Sequence, residues 1–172
     1  MTADPFRTFT DDLQHRFSGN LPSAAQLQAV AQALLSLGAA QADRLLAYPV
    51  AAAGQELLQG LAVSPSGGPS LYLVSDGVGV CSPPHSHLTW AVTVGLAGEE
   101  VNRLHECDAA GRWREVGEVR IGPGQVFAMA DHQVHSTEVA GARATCHLHL
   151  YGRSLASLPD FASRCLPPHP GD

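Results

Sequence analysis

The sequence predicts a mainly β protein, with antiparallel sheets forming a sandwich or closed barrel behind an N-terminal helical cap. Apolar residues recur at helical spacing before about residue 60 and in short strand-like segments after it. With 172 residues, of which 45% are hydrophobic, the chain can form one domain with a substantial core. We expect a helical cap over residues 1–56, a barrel over 57–153, and a tail over 154–172 packed on the same domain.

The cap contains three candidate helices. "DPFRTFTDDLQHRF" places its apolar residues at helical spacing. In "NLPSAAQLQAVAQALLSLG", Ser23 and Gln26 have the spacing of a capping box, and Gly38 is predicted to follow the last helical turn. "AAQADRLLAYP" predicts a further helix that ends before Pro49. Residues 50–58 are compatible with either a helix or a strand.

The strand-like segments are separated in many places by Gly, Pro or Asp. No helix of conventional length fits between them, which favours antiparallel sheets. The segments are LYLVSD, TWAVTVGL, EVNRLHEC, RWREVGEVRI, QVFAMA, QVHSTEVA and ATCHLHLYG.

Composition argues against several classes of protein. The formal net charge of −6 offers no basic surface for nucleic acid. The apolar runs are too short to cross a bilayer, and the N-terminus lacks the pattern of a signal peptide. The cysteines form no CxxC pair, which favours free thiols in a reducing cytoplasm. We therefore expect a cytoplasmic protein, monomeric or homodimeric, that binds neither nucleic acid nor membrane.

Histidines mark the candidate functional site. The chain has nine, and six of them lie in three strand segments as pairs: His85 and His87, His132 and His135, His147 and His149. Residues i and i+2 of a strand face the same way, so His85 and His87 can bind one ion. Pro83 and Pro84 stiffen the backbone before them, and an apolar run follows. A surface pair of histidines is the alternative explanation.

The spacing of these histidines resembles the two motifs of the cupin family. Gly79, five residues, His85-Ser86-His87, three residues, Ala91, six residues and Gly98 match the first motif, except that alanine replaces its glutamate. Gly124 and His135 keep the spacing of the second motif, which has lost its proline and second glycine. The resemblance covers about residues 57–153 and implies an antiparallel double-stranded β-helix, the cupin barrel. It assigns His85, His87 and His135 as metal ligands. His132 could replace His135, but the spacing of the motif favours His135.

A cupin with three histidines and no glutamate resembles the thiol dioxygenases, such as cysteine dioxygenase and its bacterial relatives. "PPHSHLTW" is similar to their P-x-H-x-H-x-T-W segment, and "CHLHLYG" to their S-x-H-x-Y-G segment. His149 and Tyr151 match the histidine and tyrosine of that row, whereas His147 replaces the serine. The resemblance implies catalytic roles for Tyr151 and His149 and a substrate-binding role for the His147 position.

The implied activity is oxidation of a small mercapto acid, such as cysteine or 3-mercaptopropionate, to its sulfinate by O₂ with Fe(II). Zn or Ni can also occupy a site of imidazoles. Gln59 lies where the family places a substrate-binding residue, and Arg153 or Arg164 can supply a positive charge. The alternatives are a non-catalytic cupin that binds a metal or ligand, and a cupin enzyme of other chemistry, such as an isomerase using Zn or Ni.

Overall fold

Helices form the first layer of the protein. The computed structural model describes residues 3–18 and 20–166. The helices of this layer are α1 (Pro5–Arg16), α2 (Ala24–Ala40) and the short α3 (Ala42–Leu45).

The predicted capping box begins α2. The Gln26 amide donates to Ser23 Oγ, and the Ser23 amide donates to the Gln26 side chain. Gly38, expected after the last turn, instead lies inside α2, which continues to Ala40. A Cβ atom at Gly38 would lie 3.1 Å from Leu148 Cδ1. This glycine therefore permits close packing of the helix on the sheet.

Two antiparallel sheets follow the helices. One has the strand order β1-β2-β9-β4-β7 and the other β3-β8-β5-β6. Residues 50–58, left open by the sequence, lead into β1. The strands are β1 (Glu56–Ala62), β2 (Ser70–Asp76), β3 (Cys81–Ser86), β4 (Ala91–Ala97), β5 (Glu99–Cys107), β6 (Trp113–Ile121), β7 (Val126–Met129), β8 (Val134–Ala140) and β9 (Cys146–Tyr151).

The five-stranded sheet is covered on both faces. All seven residues of β2 are buried, although successive side chains of a strand point to opposite faces. One face packs on α1 and α2 through Leu71, Leu73 and Leu148 in the main apolar core. The other face, with Tyr72 and Val74, looks into the space between the sheets. This inner space contains the histidines.

Strand β3 brings the histidine segment to the edge of the second sheet. Among the described strands its partner is β8, and its register places His85 directly opposite His135. Prolines are tolerated on edge strands because one side of such a strand makes no ladder hydrogen bonds. Pro83 and Pro84 lie where the register shifts between Ser82 and His85.

The tail returns to this edge strand. After β9 it forms a 3₁₀ turn (Leu155–Ser157) and the short helix α4 (Phe161–Arg164). The Leu166 amide then donates to the Pro84 carbonyl at 2.8 Å, and the backbone of Cys165 forms an isolated antiparallel β-bridge with His85. The tail predicted over 154–172 thus packs on the barrel as far as Leu166, and residues 167–172 lie outside the described part of the chain.

The predicted fold class is confirmed: the protein is mainly β and antiparallel, with its principal helices at the N-terminus. Within residues 3–18 and 20–166, none of the helices has both the length and the apolar character needed to cross a membrane.

Candidate metal centre

Three buried histidines converge between the sheets. One ring nitrogen from each of His85, His87 and His135 lies within 4.8 Å of the others. The three residues are 5%, 6% and 3% exposed. His85 and His135 meet because they are register partners. His87 directly follows β3, two residues after His85, and faces the same way as His85.

The shortest approach within this group has the spacing of two metal ligands. His87 Nε2 and His135 Nε2 are 3.1 Å apart. Two cis ligands of an octahedral ion with bonds of about 2.1 Å are separated by about 3.0 Å. The two nitrogens therefore fit adjacent positions around one ion.

Neighbouring acceptors fix the ring orientation of two of these histidines. His85 Nδ1 donates to the Pro83 carbonyl at 2.9 Å, since a carbonyl can only accept. His135 Nδ1 donates to Asn102 Oδ1 at 2.8 Å, and Asn102 Nδ2 donates to Glu100 Oε1 at 2.8 Å. In a neutral imidazole with a proton on Nδ1, the Nε2 lone pair remains free for a metal.

The protein holds the three imidazoles in the neutral form that binds metals. Burial, together with the neighbouring imidazoles, lowers the pKa of His87 and of His135 well below the ordinary value. Burial also lowers the pKa of His85, although its bond to Pro83 opposes the shift. At neutral pH no proton has to leave these rings before a cation binds.

The donor set fits a divalent metal ion with open coordination positions. Among the described residues, the group consists of histidines only, so it contributes no negative charge. Ala91, at the glutamate position of the cupin motif, is buried opposite Tyr151 and packs with Tyr72 and Val74. An apolar contact thus occupies the place of the missing carboxylate.

Tyr151 and His149 lie beside the three histidines as a hydrogen-bonded pair. The Tyr151 hydroxyl is 3.1 Å from His149 Nδ1, and the Tyr151 ring packs edge-on against His87 with centroids 5.1 Å apart. Burial raises the pKa of Tyr151 above its ordinary value and lowers that of His149 to about 3. Both groups are therefore neutral near pH 7, and both line the cavity in front of the histidines.

That cavity has a volume of about 340 Å³, enough for a small organic molecule. The tail forms part of its wall. Phe161 packs on the His85 ring with centroids 4.9 Å apart, and Arg164 lies with its guanidinium over Phe161, 5.4 Å from the ring centroid. Arg164 also lines the cavity, so a positive charge is available to a bound anion.

Carboxylates line another part of the same cavity. They belong to Glu56, Asp76 and Glu100. Burial raises the pKa of Asp76 to about 7, and the charge of Glu56 across the strand pair adds to the shift. Burial likewise raises the pKa of Glu100 to about 7, against the opposing effect of its bond from Asn102.

The two residues predicted to bind substrate do not line this cavity. Gln59 is exposed and contributes to a separate cavity with Tyr48, because Glu56 and Leu58 occupy the inward positions of β1. His147 faces inward but lies two residues deeper than His149, completely buried, with Nδ1 3.8 Å from Glu100 Oε2. Strand alternation turns the Gln59 side chain away from this cavity, and His147 lies below its lining.

The alternative ligand and the two arginines named from the sequence lie in different places. His132 has its Nδ1 atom 3.2 Å from Asp131 Oδ1 and a side chain that is 81% exposed, so it lies outside the group of three histidines. Arg153 lines a larger cavity of about 610 Å³ beside α1. Arg164, unlike Arg153, lines the cavity in front of the three histidines.

The sequence motifs did not indicate the polar residues that surround the three histidines. Glu100 and Asn102 occupy alternate positions of β5 with 2% and 1% exposure, and Asp76 ends β2 in phase with Val74. Polar residues at inward positions of a strand are a signal that could have identified all three. Phe161 gave no comparable signal, because its contact depends on how the tail folds back.

Comparison with known proteins identifies the fold. No protein-family model matches the sequence, and no curated protein is detectably similar to it. A protein from Klebsiella pneumoniae with a double-stranded β-helix domain superposes with a TM-score of 0.51 at 12% identity, covering 66% of this chain and 90% of that one. The cupin domain of Cnp3 from Schizosaccharomyces pombe gives a TM-score of 0.50 at 12% identity, covering 65% and 68%. The chain therefore has the cupin fold, with a three-histidine group that can bind a metal ion.

Proposed function

We propose that the protein is an Fe(II)-dependent thiol dioxygenase that oxidises a small mercapto acid to its sulfinate. The observation that carries this proposal is the ligand group of three neutral histidines, with a hydrogen-bonded Tyr151–His149 pair beside it. The overall reaction is RSH + O₂ → RSO₂H. Sulfur loses four electrons, dioxygen gains four, and both oxygen atoms are added to sulfur.

The absence of a carboxylate suits a thiol substrate. A ferrous ion held by His85, His87 and His135 supplies the redox chemistry that allows dioxygen to react with sulfur. A substrate thiol near such an ion loses its proton, and the thiolate brings the negative charge that a glutamate ligand would otherwise provide. Ala91 keeps the place of that glutamate apolar.

The remaining residues bind and orient the substrate. The Tyr151 hydroxyl, positioned by His149, donates a hydrogen bond to the reacting oxygen or to a substrate carboxylate. Arg164 is the candidate partner for the carboxylate of a mercapto acid, because it is the cation that lines the cavity. Phe161 covers His85 and keeps water from that side of the centre.

The test is oxygen consumption by the iron-loaded protein with cysteine, 3-mercaptopropionate and cysteamine. We expect one O₂ to be consumed for each thiol and a sulfinate to be detected by mass spectrometry. The His85→Ala variant, treated in the same way, controls for oxidation of thiols to disulfides by free iron. If the wild-type protein binds iron yet consumes no more oxygen than this control, the proposal is wrong and a binding function takes its place.

A further inference from the structure

The tail after β9 is attached to the barrel at both ends. At its start the Leu155 amide donates to the Tyr72 hydroxyl at 3.1 Å, and near its end the Leu166 amide donates to the Pro84 carbonyl at 2.8 Å. Tyr72 lies on β2 and Pro84 on β3, so the two attachments are on different sheets. Residues 155–166, the strap, thus cross from one sheet to the other.

The middle of the strap keeps its shape through its own hydrogen bonds. Asp160 Oδ1 accepts from the Ser163 amide at 2.9 Å, and Arg164 Nε donates to the Pro159 carbonyl at 3.1 Å. Both bonds span Phe161, so they fix the backbone on either side of it. The direction in which the Phe161 side chain projects is therefore set within the strap itself.

Phe161 separates the cavity in front of the three histidines from solvent. Its ring packs on the His85 imidazole with centroids 4.9 Å apart, and the Arg164 guanidinium lies over it. The residue lines the cavity, yet it is 44% exposed. One part of the side chain therefore faces the cavity while another faces solvent.

The exposed residues of the lining mark the mouth of this cavity. Among the described residues they are Glu56 and Leu58 on β1, and Phe161 on the strap. A substrate whose thiol reaches the three histidines must place its other atoms in about 340 Å³ of space, which the Phe161 ring closes on one side. A bulky group on the substrate would collide with this ring.

We propose that Phe161 is a specificity-determining residue, which admits small mercapto acids and excludes thiols that carry a ring or a peptide chain. This inference rests on the proposed function and defines the size of its substrate. The exclusion is steric, because a bulky group and the Phe161 ring would occupy the same space, and such a clash weakens binding of the larger ligand only. Arg164 remains available to the carboxylate of a small acid.

Binding without oxygen tests this role separately from catalysis. Calorimetric titration of the iron-loaded protein under nitrogen compares 3-mercaptopropionate with 2-benzyl-3-mercaptopropionate, which share the thiol and the carboxylate. The larger compound adds a ring of the same size as the one that Phe161→Ala removes. We expect the wild-type protein to bind the smaller compound at least about tenfold more tightly, and Phe161→Ala to reduce this preference to less than about threefold.

Two further variants control for indirect effects, and metal content is measured in each protein. Phe161→Leu keeps an apolar contact to His85 and should give an intermediate preference, so it serves as the second variant if Phe161→Ala loses metal. Phe127→Ala is the matched control. It removes a ring whose centroid lies 6.4 Å from that of His135 but which does not line the cavity, and it should leave the preference intact.

The outcomes separate the two proposals. Equal binding of the two compounds by the wild-type protein, or no binding of either, overturns the role of Phe161. A preference that is unchanged in both Phe161 variants, or that falls equally in Phe127→Ala, overturns it as well. A preference that follows Phe161, in a protein that consumes no oxygen with 3-mercaptopropionate in air, supports the size limit and contradicts the dioxygenase function.

Discussion

The two faces of β9 have opposite chemistry. Cys146, Leu148 and Leu150 point toward the helices and belong to the main apolar core. His147, His149 and Tyr151 alternate with them and point into the space between the sheets. One strand of six residues thus contributes to the apolar core on one side and to the histidine-rich space between the sheets on the other. Because the two roles fall on alternate residues, substitutions on one face should change stability and those on the other should change the site.

The largest expected effect is loss of metal binding when one of the three histidines on the inner side is replaced. His135→Ala removes one of three donors and should abolish most metal binding, measured by elemental analysis after loading and gel filtration. His132→Ala is the matched control, since its side chain is 81% exposed. Full metal content in His135→Ala together with loss in His132→Ala would contradict the ligand assignment.

On the outer face, Leu148→Ala should lower the free energy of unfolding by about 2–5 kcal/mol, because it leaves a cavity at a completely buried position. Urea denaturation of the metal-free protein measures this change. Val116→Ala, at a 54% exposed position, should change it by less than about 0.5 kcal/mol. The folded Leu148→Ala protein should still bind metal, and loss of metal without loss of stability would break the distinction between the two faces.

A smaller effect on metal affinity is expected at Asn102, which accepts a hydrogen bond from His135. Asn102→Ala deletes the acceptor that orients His135 and should weaken metal affinity about 10–100-fold. Competition with a chelator of known affinity measures the change. Ser136→Ala, next to His135 in the sequence, is the control, because it removes a hydrogen bond to His105 that lies away from the three histidines. Equal affinity in both variants would show that the Asn102 bond does not position His135 for the metal.

The smallest expected effect is at the Tyr151 hydroxyl. Tyr151→Phe keeps the ring that packs on His87, so metal content and stability should stay near normal while thiol oxidation slows about tenfold or more. Tyr72→Phe deletes a hydroxyl that accepts a bond from the Leu155 amide, outside the cavity lining, and should slow the reaction much less. A tenfold loss of bound metal in Tyr151→Phe would instead assign its hydroxyl to metal retention.

The sequence was informative where function depends on local spacing. The change in periodicity near residue 60 predicted the helical cap and the antiparallel barrel. The motif spacing selected His85, His87 and His135, which the structure brings together although β8 is distant in sequence from β3. Alternation along one strand likewise predicted that His147, His149 and Tyr151 share a face.

Features that depend on packing between distant segments could not be predicted from the sequence. Gln59 faces away from the cavity because the register of β1 turns Glu56 and Leu58 inward, and the sequence does not indicate which set is inward. His147 lies on the predicted inner face of β9 but below the residues that line the cavity. The Asn102 contact to His135 and the return of the tail to His85 join residues from separate elements, so no local pattern predicts them.

The pairing of His85 with His135 also affects how the chain folds. An ion bound to both residues closes a loop that contains four strands, β4 to β7. Such an ion would bind the folded chain, in which the histidines converge, in preference to the unfolded chain, in which they lie far apart. An ion whose free concentration is a hundred times its dissociation constant stabilises the folded state by about 2.7 kcal/mol. A metal ion held by the three histidines would therefore make the stability of the barrel depend on the supply of that metal.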